Sequence, residues 1–490
     1  MVLDIKAIHY ENELKQRDET IRQQAELIAQ QAEQIKRLEA EIEQLKRLLA
    51  GKAESKTAKK PRFTENYSLD KNKRKKKRRK KSTGRRSNDT KRAMIEDQHD
   101  IYWPDADPDE CICHREQFAW RMVNGKAVYV CYNIYDLPGS KELPLPSGLR
   151  NSRSEFGIEI ILILAFLHYW IGVSIDNARE IMQFFTGLEL SKSQADSLLS
   201  QLAADWNEQY DTIAELIALS IIVYIDETGW KVGKRSCYTW AFSTAMHVLF
   251  RCGVGRGKAE AEKVLGEFFG GIGVTDDYGA YKKLFTQHQL CWAHLICKAI
   301  KLALQHPDEK QYARFLDELY AIYQQAVRYQ RDRRLSVSRA RKAHELQDMI
   351  RSLCSRYGET IDKDAIADHE ATFTRLQNEL VDNLDCLFVF VEHPEVEPTN
   401  NRSERTVRRE AEIRKGGRTS KTPNGAKRRG VIMTVLASLQ TRFAKFTLDN
   451  LLSEVQRWLT KGRSIFESEL AELQRAHAPP SLEPALLPND

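Results

Sequence analysis

The sequence has no long apolar run free of charge. Its longest apolar stretch, Gly157 to Ile175, is interrupted by Glu159 and His168 and bordered by Asp176. Such groups are costly in a bilayer, so the stretch reads as a buried helix or helix pair, with no membrane partner. No apolar leader opens the chain. Met1–Asp18 is mostly polar, and we expect a cytoplasmic protein without a disulfide framework. Paired cysteine spacing is also lacking. Nine cysteines are present, and Cys111, Cys113 and Cys131, with His114, offer one C-x-C and a later lone cysteine. A closed zinc site usually has two C-x-x-C halves, so zinc at these three and a degenerate ribbon that folds without metal both stay open. Cys237, Cys252, Cys297, Cys354 and Cys386 have no partner spacing and read as buried thiols. A phosphate-binding loop is missing too. Gly253-Val254-Gly255-Arg256-Gly257-Lys258 has Cys252 where the first glycine belongs, and no Ser or Thr after the lysine. It reads as a turn before a helix.

What is present is a long chain with one intensely basic segment. At 490 residues, 42% hydrophobic and 30% charged, it has room for about three domains with real cores. The net charge of +7 is uneven: residues 51–100 hold 19 Lys+Arg against 7 Asp+Glu. The rest is slightly acidic, so a polyanion is the expected partner of that segment.

Leu14, Ile21, Ile28, Ile35, Ile42 and Leu49 recur every seven residues, with Leu38 and Leu45 three places after two of them. An unpaired helix has no reason to keep that period, so residues 10–50 read as a coiled coil that makes a homo-oligomer, first of all a dimer. Gln24 and Gln31 weaken its earlier turns. Residues 51–100 follow as a disordered basic linker, with Lys73, Arg74, Lys75, Lys76, Lys77, Arg78, Arg79, Lys80 and Lys81 at its centre. On DNA it would add salt-sensitive, sequence-blind affinity. A cysteine knuckle is expected at 101–148 and a helical domain at 149–218. In the latter, Ser174, Ser191 and Ser193 are candidate caps, and two helices flank Thr186–Leu190 in the manner of a helix-turn-helix.

Ile221–Ile225 is a continuous β-forming run ended by Asp226, typical of a central strand buried on both faces. Strand-like runs at Tyr238–Ser243 and Met246–Arg251 follow. Next come a helix with Ala261, Val264, Leu265 and Phe268 on one face, and a strand at Ile272–Thr275 ended by Asp276 and Asp277. A further run passes through Cys291-Trp292-Ala293-His294 into a helix. This is the ribonuclease H-like order, in which the first and fourth strands are neighbours. Carboxylates on adjacent strand ends can hold two divalent ions about 4 Å apart. A third carboxylate is available at Glu404, in a helix beginning near Thr399 or Asn400 and set among eleven Lys+Arg at 401–430. A lone Glu in a basic helix is more often an ion-pair former, and the pattern alone favours that role.

Four blocks change the balance: Asp226-Glu227-Thr228-Gly229-Trp230, Thr275-Asp276-Asp277-Tyr278-Gly279-Ala280-Tyr281, Cys291-Trp292-Ala293-His294 and Asn400-Asn401-Arg402-Ser403-Glu404-Arg405. Together with Gly416–Ser420 and the whole layout, they resemble the insertion-sequence-66-type bacterial DDE transposases. The resemblance implies a metal-binding catalytic triad of Asp226, Asp276 and Glu404, holding two Mg²⁺ (or Mn²⁺), with zinc uncertain. It implies double-stranded DNA as substrate, both element ends and target. Further implications are accessory proteins of the same element and a place on the nucleoid. Arg405, Arg408, Arg409, Arg414 and Lys415 become candidate phosphate contacts, and Trp230, Cys291, His294, Asn400 and Asn401 accessory motif residues. The expected fold is a multidomain α/β chain. Its ribonuclease H-like catalytic core spans 219–297 and 396–430 around an all-helical insertion at 298–395. C-terminal helices follow at 431–475 and a tail at 476–490. A DNA-binding regulator, a glycoside hydrolase and a host nuclease of the same core remain alternatives, separated by metal-dependent cleavage and strand joining.

Overall fold

The computed structural model describes residues 86–139, 142–281, 283–358 and 368–476. The coiled coil expected at 10–50 and the run Lys73–Lys81 lie outside the described residues. The described chain is mixed α/β, with two sheets and many helices.

The first sheet contains β1 (Asp97–Ile101), β2 (Ile112–Val123) and β3 (Lys126–Asp136), in the order β1-β3-β2. The β2–β3 hairpin turns on Asn124-Gly125, both at positive φ (48° and 79°), as a two-residue type I′ turn demands. Cys131 is buried in β3 opposite Phe118, while Cys113 sits on exposed β2 opposite Tyr135, four residues further along. Of the two readings left open for the knuckle at 101–148, this sheet is the small domain without a closed cysteine cluster. Cys111, Cys113 and Cys131 do not converge, and the sheet is held by apolar faces such as Ala119, Val130 and Ile134. Among the thiols expected to be buried, Cys252 and Cys354 are, Cys237 and Cys386 are half-buried, and Cys297 is exposed.

The Gly157–Ile175 stretch folds as helix α1 (Ile158–Ala165), continued by a wider π turn over Phe166–Trp170. Glu159 can sit in this apolar run because Arg121 Nε lies 2.7 Å from its Oε1, and the Met122 N–H donates to it at 3.0 Å. No helix among the described residues is long and apolar enough to cross a membrane. Next come α2 (Ile175–Thr186) and α3 (Lys192–Asp205). Ser174 caps α2, Gly187 ends it in the left-handed conformation, and Ser191 with Gln194 forms a capping box on α3. Ser193 lies inside α3 and is not its cap. Helix α4 (Asn207–Ala218) leads into the second sheet.

That sheet has five strands: β4 (Ile222–Val232), β5 (Arg235–Ser243), β6 (Val248–Val254), β7 (Phe269–Thr275) and β8 (Phe285–Leu290). Their order is β6-β5-β4-β7-β8. The first three are antiparallel, and β4, β7 and β8 run parallel. Helix α5 (Ala259–Leu265) links β6 to β7. Phe268, expected on its buried face, lies past its Gly266 stop and is exposed.

Alternation along β4 divides two cores. Val223 and Ile225 face the core shared with α1–α4, whereas Tyr224 faces the other side with Ile272 and Val274. That second core is completed by α6 (Trp292–Gln305), α7 (Lys310–Arg331), α8 (Arg339–Gly358) and α9 (Asp368–Asp382), through Leu319, Leu346, Ile350 and Leu376. The chain then returns as α10 (Asn401–Lys415), α11 (Pro423–Arg442), α12 (Leu448–Lys461) and α13 (Ile465–Ala476). Helix α11 covers the β6 edge with hydroxyls. Ser438 Oγ accepts the Val248 N–H at 3.0 Å and Thr434 Oγ1 the Phe250 N–H at 2.9 Å. Those edge donors are thus paired away from water.

Candidate active site

Asp226 does not end its strand, as the sequence suggested. Strand β4 runs on to Val232 and pairs with β5 from Tyr224 to that end. What ends is the parallel pairing with β7, whose last register pair is Tyr224 with Val274. Asp226 and Asp276 each lie two residues beyond that pair, on strands that start about 4.8 Å apart. The two acids therefore stand at the same level of the fork between β4 and β7. Each is locally braced. Asp226 Oδ1 accepts the Glu227 N–H at 2.8 Å, and Asp276 Oδ1 the Tyr278 N–H at 3.1 Å. Burial pushes the Asp226 carboxyl up to about 7, with the Glu227, Asp276 and Glu404 carboxylates adding to it.

Glu404 reaches this region because the start of α10 is pinned to β4. Buried Asn400 donates from Nδ2 to the Ile225 carbonyl at 2.7 Å, beside Asp226. One turn later the Glu404 N–H donates to the Asn400 carbonyl at 3.0 Å. Asn400 also donates its backbone N–H to Cys291 Sγ at 3.1 Å. Asn401, by contrast, is the exposed first residue of α10.

The accessory residues Cys291 and His294 belong to the same place. Cys291 precedes α6, and His294 lies in its first turn. The Cys291 thiol points at Glu404 Oε1 at 3.7 Å, and His294 Nδ1 is 3.5 Å from the same oxygen. Among the described residues, these three are the trio whose donor atoms all fall within 4.8 Å of one another. The three acids do not close to that spacing. Burial pushes the Cys291 thiol up to about 11.

Trp230 has a bracing position. Its Nε1–H donates to Ser420 Oγ at 3.1 Å, and the Gly233 N–H donates to the Ser420 carbonyl at 2.9 Å. The Gly416–Ser420 segment thereby lies along the far end of β4. Among the basic residues, Arg405, Arg408 and Lys415 are exposed on α10. Arg414 is half-buried beside Gly229. Arg409 needs correcting as a phosphate contact. It stacks on Trp170 at 4.0 Å and donates to the Trp170 carbonyl at 3.0 Å, which turns it inward.

Sequence reasoning missed one group beside Asp226. The Glu227 carboxylate is held by Arg256 at 2.9 Å and by the Tyr281 hydroxyl. Arg256 in turn lies 3.9 Å over the Tyr278 ring. The only signal was the Gly-rich segment Gly253–Lys258, which looked like a turn. The segment's use is to bring a guanidinium back to the β4–β7 fork.

Comparison with known proteins assigns the chain to the transposases. The model of the Transposase IS66 family matches residues 153–428, more than half of the chain, and the protein belongs to that family. No curated protein matches it.

Proposed function

We propose that this protein is the DNA transposase of a bacterial insertion sequence, with a ribonuclease H-like core that cuts at the element ends and joins the freed 3′-hydroxyls to target DNA. The observation that carries the reading is the fork. Asp226 on β4 and Asp276 just past the end of β7 each lie two residues beyond the last pair of these neighbouring parallel strands, and Asn400 ties the helix bearing Glu404 to Ile225. The order β6-β5-β4-β7-β8, with the first strand of the sheet next to the fourth, supports the fold assignment.

The donor chemistry fits hard divalent ions. Three carboxylates offer an all-oxygen set, the kind Mg²⁺ and Mn²⁺ prefer. The raised Asp226 carboxyl marks a buried, crowded negative field that a cation relieves. Asp226, Asp276 and Glu404 would hold the ions, which supply Lewis-acid activation of water or a 3′-hydroxyl and stabilise the leaving oxygen. The protein's own part is positioning. The Glu227–Arg256–Tyr281 group braces the β4 side of the fork. Exposed Arg405, Arg408 and Lys415 on the helix of Glu404 are placed to contact phosphates. The basic segment at 51–100 adds non-specific affinity for double-stranded DNA, and the heptads at 10–50 bring two copies to two DNA ends.

The test is an in-vitro reaction with the element's end DNA and Mg²⁺, comparing wild type with Asp226→Ala. Cleavage and joining should both vanish in the variant. Cleavage that survives it overturns the triad. Metal-dependent cleavage without joining points to a nuclease of the same core.

A further inference from the structure

We propose that Cys291, His294 and Glu404 form a second, three-ligand metal site, selective for a thiophilic divalent ion of the zinc class. The donor atoms are spaced much as zinc ligands are. Tetrahedral zinc has bond lengths of about 2.0–2.3 Å, which places neighbouring ligand atoms roughly 3.3–3.8 Å apart. Glu404 Oε1 lies 3.5 Å from His294 Nδ1 and 3.7 Å from Cys291 Sγ, and all three donor atoms fall within 4.8 Å of one another. The two edges that meet at Glu404 already match that spacing, and the third is no longer than 4.8 Å.

The donor set decides the metal. One sulfur, one imidazole nitrogen and one oxygen suit Zn²⁺ or Co²⁺ and not Mg²⁺, which keeps oxygen ligands. The ligands are pre-positioned by two helix starts. Cys291 and His294 are joined by the His294 N–H to Cys291 carbonyl bond at 3.2 Å, and Glu404 lies in the first turn of α10. The outer contacts needed to orient the thiolate exist as well, since the Asn400 N–H already donates to Cys291 Sγ at 3.1 Å. Cys291 is buried, but the His294 side chain is 47% exposed, which gives an ion a route in and leaves a fourth position for water.

The site shares Glu404 with the proposed catalytic triad, so its consequence for activity rests on that reading. A soft ion on Glu404 divides the carboxylate's charge between two cations. The hold on Mg²⁺ at the fork then weakens, and zinc becomes an inhibitor of the Mg²⁺ reaction.

The experiment uses the full-length protein and Co²⁺ alone, read by the near-ultraviolet thiolate-to-cobalt charge-transfer band. The wild type should show the band, and Zn²⁺ should bleach it. Cys291→Ser should lower the band by one equivalent of bound Co²⁺. His294→Gln, at an exposed position that folding tolerates, should weaken Co²⁺ binding at least roughly tenfold. Asp226→Asn should keep the band. The proposal is overturned by a wild type without the band, by a band undiminished in Cys291→Ser, or by its loss in Asp226→Asn. If end-DNA cleavage fails while the band is present, the transposase reading falls and the site stands. If saturating Zn²⁺ leaves Mg²⁺-dependent cleavage unchanged, the inhibitory coupling falls.

Discussion

The Arg429–Glu410 pair offers a test of what holds the third acid in place. Glu410 is on α10, six residues after Glu404, and its side chain is fully buried; Arg429, on α11, is 6% exposed. The guanidinium donates from Nε at 2.7 Å and from an Nη at 2.8 Å, one bond to each carboxylate oxygen. It also lies 4.9 Å over Trp230 of β4. Glu410→Gln keeps the shape and removes the charge, leaving a buried guanidinium without its counter-ion. Breaking such a pair costs about 3–5 kcal/mol. For a folded unit of roughly 400 residues, an unfolding entropy of about 2.1 cal/mol/K per residue gives ~0.8 kcal/mol per kelvin, so Tm should fall by about 5 °C. The double variant Glu410→Leu, Arg429→Met removes both charges and should recover most of that loss. Thermal melts followed by circular dichroism, with urea titrations at fixed temperature, measure both. A shift under about 1 °C for Glu410→Gln, or a double variant worse than the single, would refute the reasoning.

Three further outcomes follow from the same contacts. Thr434→Val leaves the Phe250 N–H buried and unpaired at the β6 edge, and should cost about 1–3 kcal/mol in urea titrations; a neutral result means the edge is wetter than described. Asn400→Ala cuts the tie to Ile225, and misplacing Glu404 by an ångström should lower end-DNA cleavage by ~10²-fold in folded protein. An unchanged rate would show that α10 is located by packing alone. His168, whose Nδ1–H donates to the Val173 carbonyl at 2.8 Å, is pushed down to about 4, first by burial and then by Arg429 and Arg428. The unfolded chain takes up this proton near pH 6.5 and the folded chain near 4, so stability is complete above 6.5 and falls by up to ~3 kcal/mol toward pH 4. His168→Asn should flatten that decline, and equal slopes for variant and wild type would refute it.

Much of the sheet was legible because its signals are local. Ile221–Ile225 is apolar at every position, and Val223, Tyr224 and Ile225 are buried on the two faces of β4, while Ile221 stands before the strand and is exposed. The caps at Ser174 and Ser191 were readable for the same reason, since a cap bonds within three residues of itself. The extent of β4 beyond Asp226 was not. Glu227, Thr228 and Gly229 look like a loop until β5 pairs with them. Long-range partners were invisible altogether. Nothing near Arg409 announces that Trp170 will take its guanidinium, and nothing in Gly253–Lys258 names Glu227 as the target of Arg256. Cys111, Cys113 and Cys131 left two readings open. Their types allowed a ligand set, and only strand register shows Cys131 paired four residues away from the partner of Cys113.

The candidate site therefore divides into two parts with different dependence on the fold. Asp226 and Asp276 are set by the β4–β7 pairing, a contact inside one sheet. Glu404 follows in the chain after the long helical segment from α6 to α9, which packs on the other face of that sheet. Its location then depends on the bonds Asn400 to Ile225, Asn400 to Cys291, Ser403 to Ala241 and the Arg429 clamp on Glu410, together with Val407 packed in the core. Loss of those bonds should release the third acid while the sheet and its two acids stay folded. On the proposed reading, partial destabilisation of α10 is then expected to abolish metal-dependent cleavage before global unfolding begins. The same arrangement makes Glu404 the one carboxylate that a competing ligand set, Cys291 and His294, can reach without disturbing a strand.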